Sequence, residues 1–237
     1  MMYITIRLDI KESRLNSNYK KMSNLHNSIK KRINNKIESY QELEIRNGDE
    51  LFGIYEDINN AMKVVEAILV EAKMNKINIY LGLGIGNIDY GIDESAHTVN
   101  GSSIWNATEA LDSAKTKGNT ASGNTCCVYT NFKKAYTDTL NLLLNIAVEN
   151  IENRTQEQQK AIDLKRNNPD KSPAELYLAL KGIDEHNNLS ESSEKKLDNY
   201  RVNFSRFITR SELSRFNEIL GCMIGICNDQ SLSEVNK

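Results

Sequence analysis

Long apolar runs are missing from this sequence. None approaches the roughly 18 residues that span a bilayer, and the opening MMYITIRLDIKESR has neither the basic start nor the long apolar stretch of a secretory leader. A cytoplasmic protein with no membrane partner is therefore expected. Cysteine is scarce too. Four residues, at 126, 127, 222 and 227, are too few to staple a chain of 237 residues, and neither CC nor CMIGIC has the C-x-x-C spacing of a zinc knuckle. Buried thiols are the expectation. The three histidines, His26, His97 and His186, are scattered among polar neighbours, so no histidine metal site or catalytic triad assembles from them. Nor is there a surplus of positive charge. With 30 Lys and Arg against 32 Asp and Glu, any contact with nucleic acid must come from a local patch.

What is present suffices for a sizeable core, with 39% hydrophobic and 26% charged residues, in one or two domains. MMYITIRLDI is a β-rich run. NSNYKKMSNLHNSIKKRINNKIESY spaces Met22, Leu25, Ile29, Ile33 and Ile37 by three and four residues, which predicts an amphipathic helix over the whole stretch. EIRNGDELFGIY reads as a hairpin, two short apolar strands about Asn47-Gly48-Asp49. In DINNAMKVVEAILVEAKMN, Ala61, Val64, Val65, Ile68 and Leu69 form the stripe of a second helix. KINIYLGLGIGNIDYG is a glycine-punctuated strand, the pattern expected where a ligand or another backbone approaches closely. SSIWNATEALDSAKTKG is a third helix that stops at Gly118, with Trp105 expected in the core rather than as a stacking platform, and TCCVYT is a last strand. The order predicts an α+β fold, a ferredoxin-like βαββαβ core with an extra αβ and helices packed on one face of the sheet, over residues 1–135.

Residues 136–237 read as an all-α domain. Thr155 is a candidate N-cap, and Ser172-Pro173 followed by Glu175 is a strong helix start. KSPAELYLAL and then LSESSEKKLDNYR, beginning near Ser190, have the shape of a helix-turn-helix whose second helix would enter a major groove of DNA. Lys195, Lys196, Arg201, Arg206 and Arg210 make this stretch locally basic. DNA contact and a packing or dimerisation role both stay open for it.

The split βαβ order sets the first strand beside the hairpin, so Asp9 at the end of one meets Asp49 at the tip of the other. Two converging carboxylates repel unless a cation lies between them, and the usual occupant is Mg²⁺, or Mn²⁺, holding a nucleotide's phosphates. Ile10 can add its backbone carbonyl to the metal and Glu50 a second acid. For Arg46, beside the tip, triphosphate contact and a solvated strand position are equally open.

LDI at the end of the first strand, NGDEL at the hairpin, GLGIG on the following strand and ATEALDSAKTKGN on the next helix resemble the palm domain shared by GGDEF diguanylate cyclases and class III nucleotidyl cyclases. The helix is similar, almost position for position, to the A-D-x-A-L-Y-x-A-K-x-x-G-R-N stretch of GGDEF domains. Taken with the segment beyond Gly118, the chain resembles the SatD family. The resemblance implies a palm that binds Mg²⁺ and a purine nucleoside triphosphate, with Asp9 and Asp49 as catalytic metal holders. It also implies that Lys115 and Asn106, with Arg46, Asn47 and Gly48 of the hairpin, lie around the nucleotide. Two departures bear on activity. Asn47 stands where GGDEF domains have their first glycine, and Ala110 stands where class III cyclases place an arginine four residues after the asparagine that Asn106 matches. These residues support two readings. One is a nucleotidyl cyclase that makes a cyclic or oligonucleotide second messenger by attack of a 3′-hydroxyl on an α-phosphate. The other is a non-catalytic, nucleotide-sensing transcriptional regulator of the SatD type that binds DNA through its C-terminal domain. A homodimer is compatible with both. If Asp49 shares a metal with Asp9, Asp49→Asn should abolish Mg²⁺-dependent triphosphate binding in calorimetry without lowering the melting temperature.

Overall fold

Every second residue of YITIRLDI is apolar, and the strand it forms, β1 (Tyr3–Ile10), is the centre of a five-stranded sheet. The computed structural model describes residues 2–11, 18–33, 37–46, 50–89, 98–118, 123–183, 194–211 and 213–235. Helix α1 (Asn18–Ile33) leads to β2 (Gln41–Arg46) and β3 (Glu50–Tyr55), then α2 (Ile58–Met74), β4 (Ile79–Gly86), α3 (Ser102–Gly118) and β5 (Thr125–Thr130). The strand order is β2-β3-β1-β4-β5, antiparallel throughout except for the parallel β4–β5 pair. The chain is thus mixed α/β, in keeping with the α+β class expected, and the strand–helix alternation read from the sequence is the one observed. No helix among the described residues is long and apolar enough to cross a membrane.

Compact units divide the chain into Met1–Ile151 with Ile219–Lys237, and Glu152–Glu218. In the first unit Ile4, Ile6 and Leu8 of β1 are fully buried on one face of the sheet, where α1 and α2 lie against β1, β2 and β3. The anticipated stripe of α2 is buried, and Asp57 caps the helix by accepting from the Asn59 N–H. Helix α1 buries Met22, Leu25 and Ile29 but ends at Ile33, so Ile37 lies beyond the helix predicted to contain it. Asn34 and Asn35, poor helix formers, come after its last turn.

The expectation of helices on a single face is corrected by α3, which lies on the other. Tyr3, Thr5, Arg7 and Asp9 point to this face, and across the ladder Thr5 and Arg7 stand opposite Gly84 and Gly82 of β4. A Cβ on Gly84 would come 2.0 Å from the Ser103 carbonyl oxygen, and one on Gly82 2.5 Å from the Leu111 nitrogen. The glycines therefore admit another backbone, that of α3. The same closeness overturns the placement of Trp105. The face that α3 turns to the sheet carries small Ala107, Ala110 and Ala114, and Trp105 is 55% exposed, its indole N–H donating to Asn100 Oδ1 at 2.8 Å.

Helix α4 (Lys134–Asn153) braces the β5 edge. Asn141 accepts from the Val128 N–H (2.9 Å) and donates to the Val128 carbonyl (2.7 Å), as a neighbouring strand would. Of the four thiols, all free, Cys126, Cys127 and Cys227 are buried as expected and Cys222 is exposed. Burial pushes the Cys227 thiol up to about 12.

In the second unit, α5 (Gln156–Asn167) and α6 (Pro173–Lys181) each open with a full capping box, Thr155 with Gln158 and Ser172 with Glu175. Gly182 ends α6 in the left-handed conformation. Helix α7 (Glu194–Arg210) packs on both through Phe204, Leu176 and Ala161, and Tyr200 stacks on Tyr177 at 5.3 Å. Ser190, the expected start of this helix, lies outside the described residues. The last helix, α8 (Leu213–Val235), starts in this unit and belongs from Ile219 onward to the first.

Gly84→Ala should cost about 3 kcal/mol or more in urea denaturation, because backbone rather than a flexible side chain meets the new methyl. Ser172→Ala should cost about 1 kcal/mol. Ser172 holds the Glu175 carboxyl below its ordinary range, so this contribution is complete above that range and is lost as pH falls through the lowered value. The gap between wild type and S172A should accordingly narrow in acid. Iodoacetamide at pH 8 should modify Cys222 well ahead of the other three thiols.

Candidate functional site

Three polar residues alternate along the α3 face of β1, and each has its partner. Thr5 and Ser103 share a hydroxyl–hydroxyl hydrogen bond of 2.7 Å. Arg7 donates to Thr108 and grips Glu50 with two nitrogens, Nε on Oε1 and an Nη on Oε2 at 2.8 Å. At the strand end, Asp9 Oδ2 meets the Lys115 ammonium at 2.8 Å. The helix that runs over β4 thus reaches sideways to β1 at successive points, and the last of them holds the charge pair.

Asp9 has unused capacity. Its Oδ1 is buried and has no hydrogen-bond partner among the described residues. In the β1–β3 register Asp9 stands opposite Glu50, next in sequence to Asp49. The strand end and the hairpin therefore meet as the topology predicts, while Asn47, Gly48 and Asp49 themselves lie outside the described residues. The Lys11 N–H donates to Asn78 O of the β4 side at 2.9 Å, and the alternation of an antiparallel ladder then turns the Ile10 carbonyl toward the hairpin side.

Glu50 is 8% exposed, with both oxygens taken by Arg7. That bond holds the guanidinium's pKa above its ordinary value. Glu50 is therefore built in as the counter-ion that ties β3 to β1. Sequence reasoning passed over Arg7. The available signal was a lone cation within a strand otherwise made of apolar residues, Thr5 and the terminal Asp9, where only a paired charge is tolerated.

Arg46 pairs across the hairpin with Glu50 and lays its guanidinium 5.0 Å from the centre of the Phe52 ring, with Nε buried and without a partner among the described residues. Asn106 belongs elsewhere. Its amide donates to the Ile85 carbonyl and to Asn131 Oδ1, both at 2.8 Å, and nine residues of α3, about 13 Å, separate it from Lys115. Ala110 is fully buried against Cys127 and Ala114, so this position faces the sheet rather than Asp9. The structure thus assembles Asp9, Ile10, Lys115, Glu50 and Arg46 about one end of the sheet and leaves Asn106 apart.

A scan of protein-family models finds none that matches this chain, and no curated protein matches it.

Arg7→Ala should destabilise by about 3 kcal/mol, since it strands the Glu50 carboxylate in a buried position. Replacing Arg7 and Glu50 together with leucine should recover most of that loss. A double-mutant cycle read by thermal denaturation measures the coupling.

Proposed function

We propose that the end of β1 binds the phosphates of a purine nucleoside triphosphate together with Mg²⁺, with Mn²⁺ able to substitute, and that the chain uses this site for nucleotidyl transfer of the cyclase type. The observation that carries the reading is Asp9 Oδ1. A buried carboxylate oxygen that no described residue satisfies is costly and rare, and a cation is the group that best satisfies it. The donor set fits a hard divalent ion: Asp9, the Ile10 carbonyl and, from the hairpin, Asp49. When bound, the metal supplies charge neutralisation for the phosphates and a more acidic attacking hydroxyl.

The other residues have distinct tasks. Glu50 fixes the hairpin strand through Arg7 and leaves the metal to its neighbours. Lys115, 41% exposed at its side chain, exchanges Asp9 for a phosphate oxygen once the carboxylate is neutralised. Arg46, at the foot of the hairpin, offers its guanidinium to the far phosphates. The 3′-hydroxyl gives its proton to water as its oxygen bonds to the α-phosphorus, the bond from that phosphorus to the bridging oxygen breaks, and pyrophosphate leaves. The strand order, with its extra parallel strand, supports a palm of the kind found in GGDEF and class III cyclases.

A second reading, the nucleotide-sensing regulator of the SatD type, is favoured by α7. Lys195, Lys196, Arg206 and Arg210 are exposed and fall within an arc of about 100° on that helix, whereas Arg201 is on another side and pairs with Asp198 at 2.8 Å. Such a stripe suits the phosphates of duplex DNA.

Calorimetry with ATP and GTP should show binding that requires Mg²⁺, is abolished by Asp9→Asn and is weakened about tenfold by Lys115→Ala. Equal affinity with and without metal would refute the site. Incubation with the four ribonucleoside triphosphates and then mass spectrometry of the products decides between the readings, because unchanged nucleotides leave only the sensor. For the sensor, replacing Lys195, Lys196 and Arg206 with alanine should flatten the salt dependence of duplex binding by about one unit per lost phosphate contact, and Arg201→Ala should not.

A further inference from the structure

A separate cavity lies past the end of β1, and we propose that it binds a small phosphate-class anion without a divalent metal. It measures about 300 Å³ and is walled by Lys11, Lys21, Asn24, Asn75, Lys76 and Asn78 together with Ile77 and Ile10, the one residue it has in common with the metal site. That volume is at the small end of the range for ligand sites. Among the described residues the wall holds three lysines and three asparagines and no carboxylate, a donor-rich lining. Glu71, whose backbone carbonyl and carboxylate Oε2 accept from the Asn75 side-chain amide at 2.8 and 3.5 Å, has that carboxylate neutralised by Arg32 at 2.6 Å.

The lysines are not equivalent. Lys11 is already engaged, donating to Thr125 Oγ1 at 2.9 Å and standing over the Tyr80 ring. Lys21 and Lys76 have no ion-pair partner among the described residues, and both are exposed enough to turn toward a ligand. Lys76 is also peculiar in its backbone. It has φ +55°, alone among the described non-glycine residues, in the turn that closes α2 through the bonds Lys76 N–H to Lys73 O and Ile77 N–H to Ala72 O. Glycine is the residue that such a helix end ordinarily uses, and an L side chain there costs about 1 kcal/mol. The turn gains nothing from a lysine, whereas the cavity gains a cation. The carbonyl end of α2 carries partial negative charge, so an anion there depends on side-chain cations.

This inference is independent of the metal site at Asp9, and the test keeps the two apart. Pyrophosphate, inorganic phosphate and ATP are titrated calorimetrically into the full chain in excess EDTA at low salt. Wild type should bind pyrophosphate, Lys21→Ala and Lys76→Gly should each weaken it about tenfold, and Asp9→Asn should bind it as wild type does. Lys76→Gly should at the same time keep or raise the melting temperature, because glycine relieves the turn. A purely structural Lys76 would give the stability change with pyrophosphate binding intact, and that overturns the proposal. So would no detectable binding to wild type in EDTA, or binding lost in Asp9→Asn, which would place the anion at the metal site. ATP binding as tightly as pyrophosphate identifies the phosphate end of a nucleotide as the group held, and pyrophosphate or phosphate binding more tightly identifies the free anion. Failure of Mg²⁺-dependent ATP binding would leave this result untouched.

Discussion

Side chains normally hold a helix away from the sheet it packs on, and under α3 the glycines of β4 remove them. The Cβ positions of Gly82 and Gly84 are occupied by the backbone of α3 itself. Brought down to this depth over β4, the helix can reach the next strand with short side chains. Ser103 and Thr108 then satisfy Thr5 and Arg7 in the middle of the sheet, and Lys115 satisfies half of Asp9 at its end. Raised by the thickness of a methyl group, α3 would lose these bonds and leave polar groups buried on the central strand, a costly arrangement.

The two ion pairs of this face behave differently because of where they lie. Arg7 and Glu50 have side-chain exposures of 18% and 11% and a two-pronged geometry, so breaking them strands a charge in a poor solvent. They are permanent. Lys115 is 41% exposed and holds Asp9 by a single contact, the kind of pair worth little in water and easily exchanged. One pair is suited to hold the hairpin against the central strand, and the other is suited to change partners when a ligand arrives.

Local rules made much of the fold legible. The period of two in YITIRLDI, the three-and-four spacing of Met22, Leu25 and Ile29, and the helix starts at Thr155 and Ser172 all act within a few residues, and each was readable. The meeting of Asp9 with the hairpin was legible one level up, since strand order is set by element order. What escaped depends on distances between elements. GLGIG announces a close approach without naming which backbone makes it or on which face. Trp105 has the composition of a core residue, and it is outside because the contact is too close for an indole. Arg7 and Glu50 are 43 residues apart, and only the folded register makes them a pair.

The bracket formed by Asn141 has a consequence for how this sheet could grow. A six-residue strand at the margin of a sheet ordinarily offers its outward amides and carbonyls to any passing extended peptide. On β5 the central such pair, at Val128, is already answered by a side chain from α4. An incoming peptide would have to evict that amide and meet no vacant ladder there. Propagation of the sheet from molecule to molecule is thereby blocked in one direction. Any intermolecular β-pairing is directed to the opposite margin, β2, whose exposed Glu44 would repel its counterpart in a second copy if the two were set edge to edge, Glu42 being paired with Lys30 at 3.2 Å.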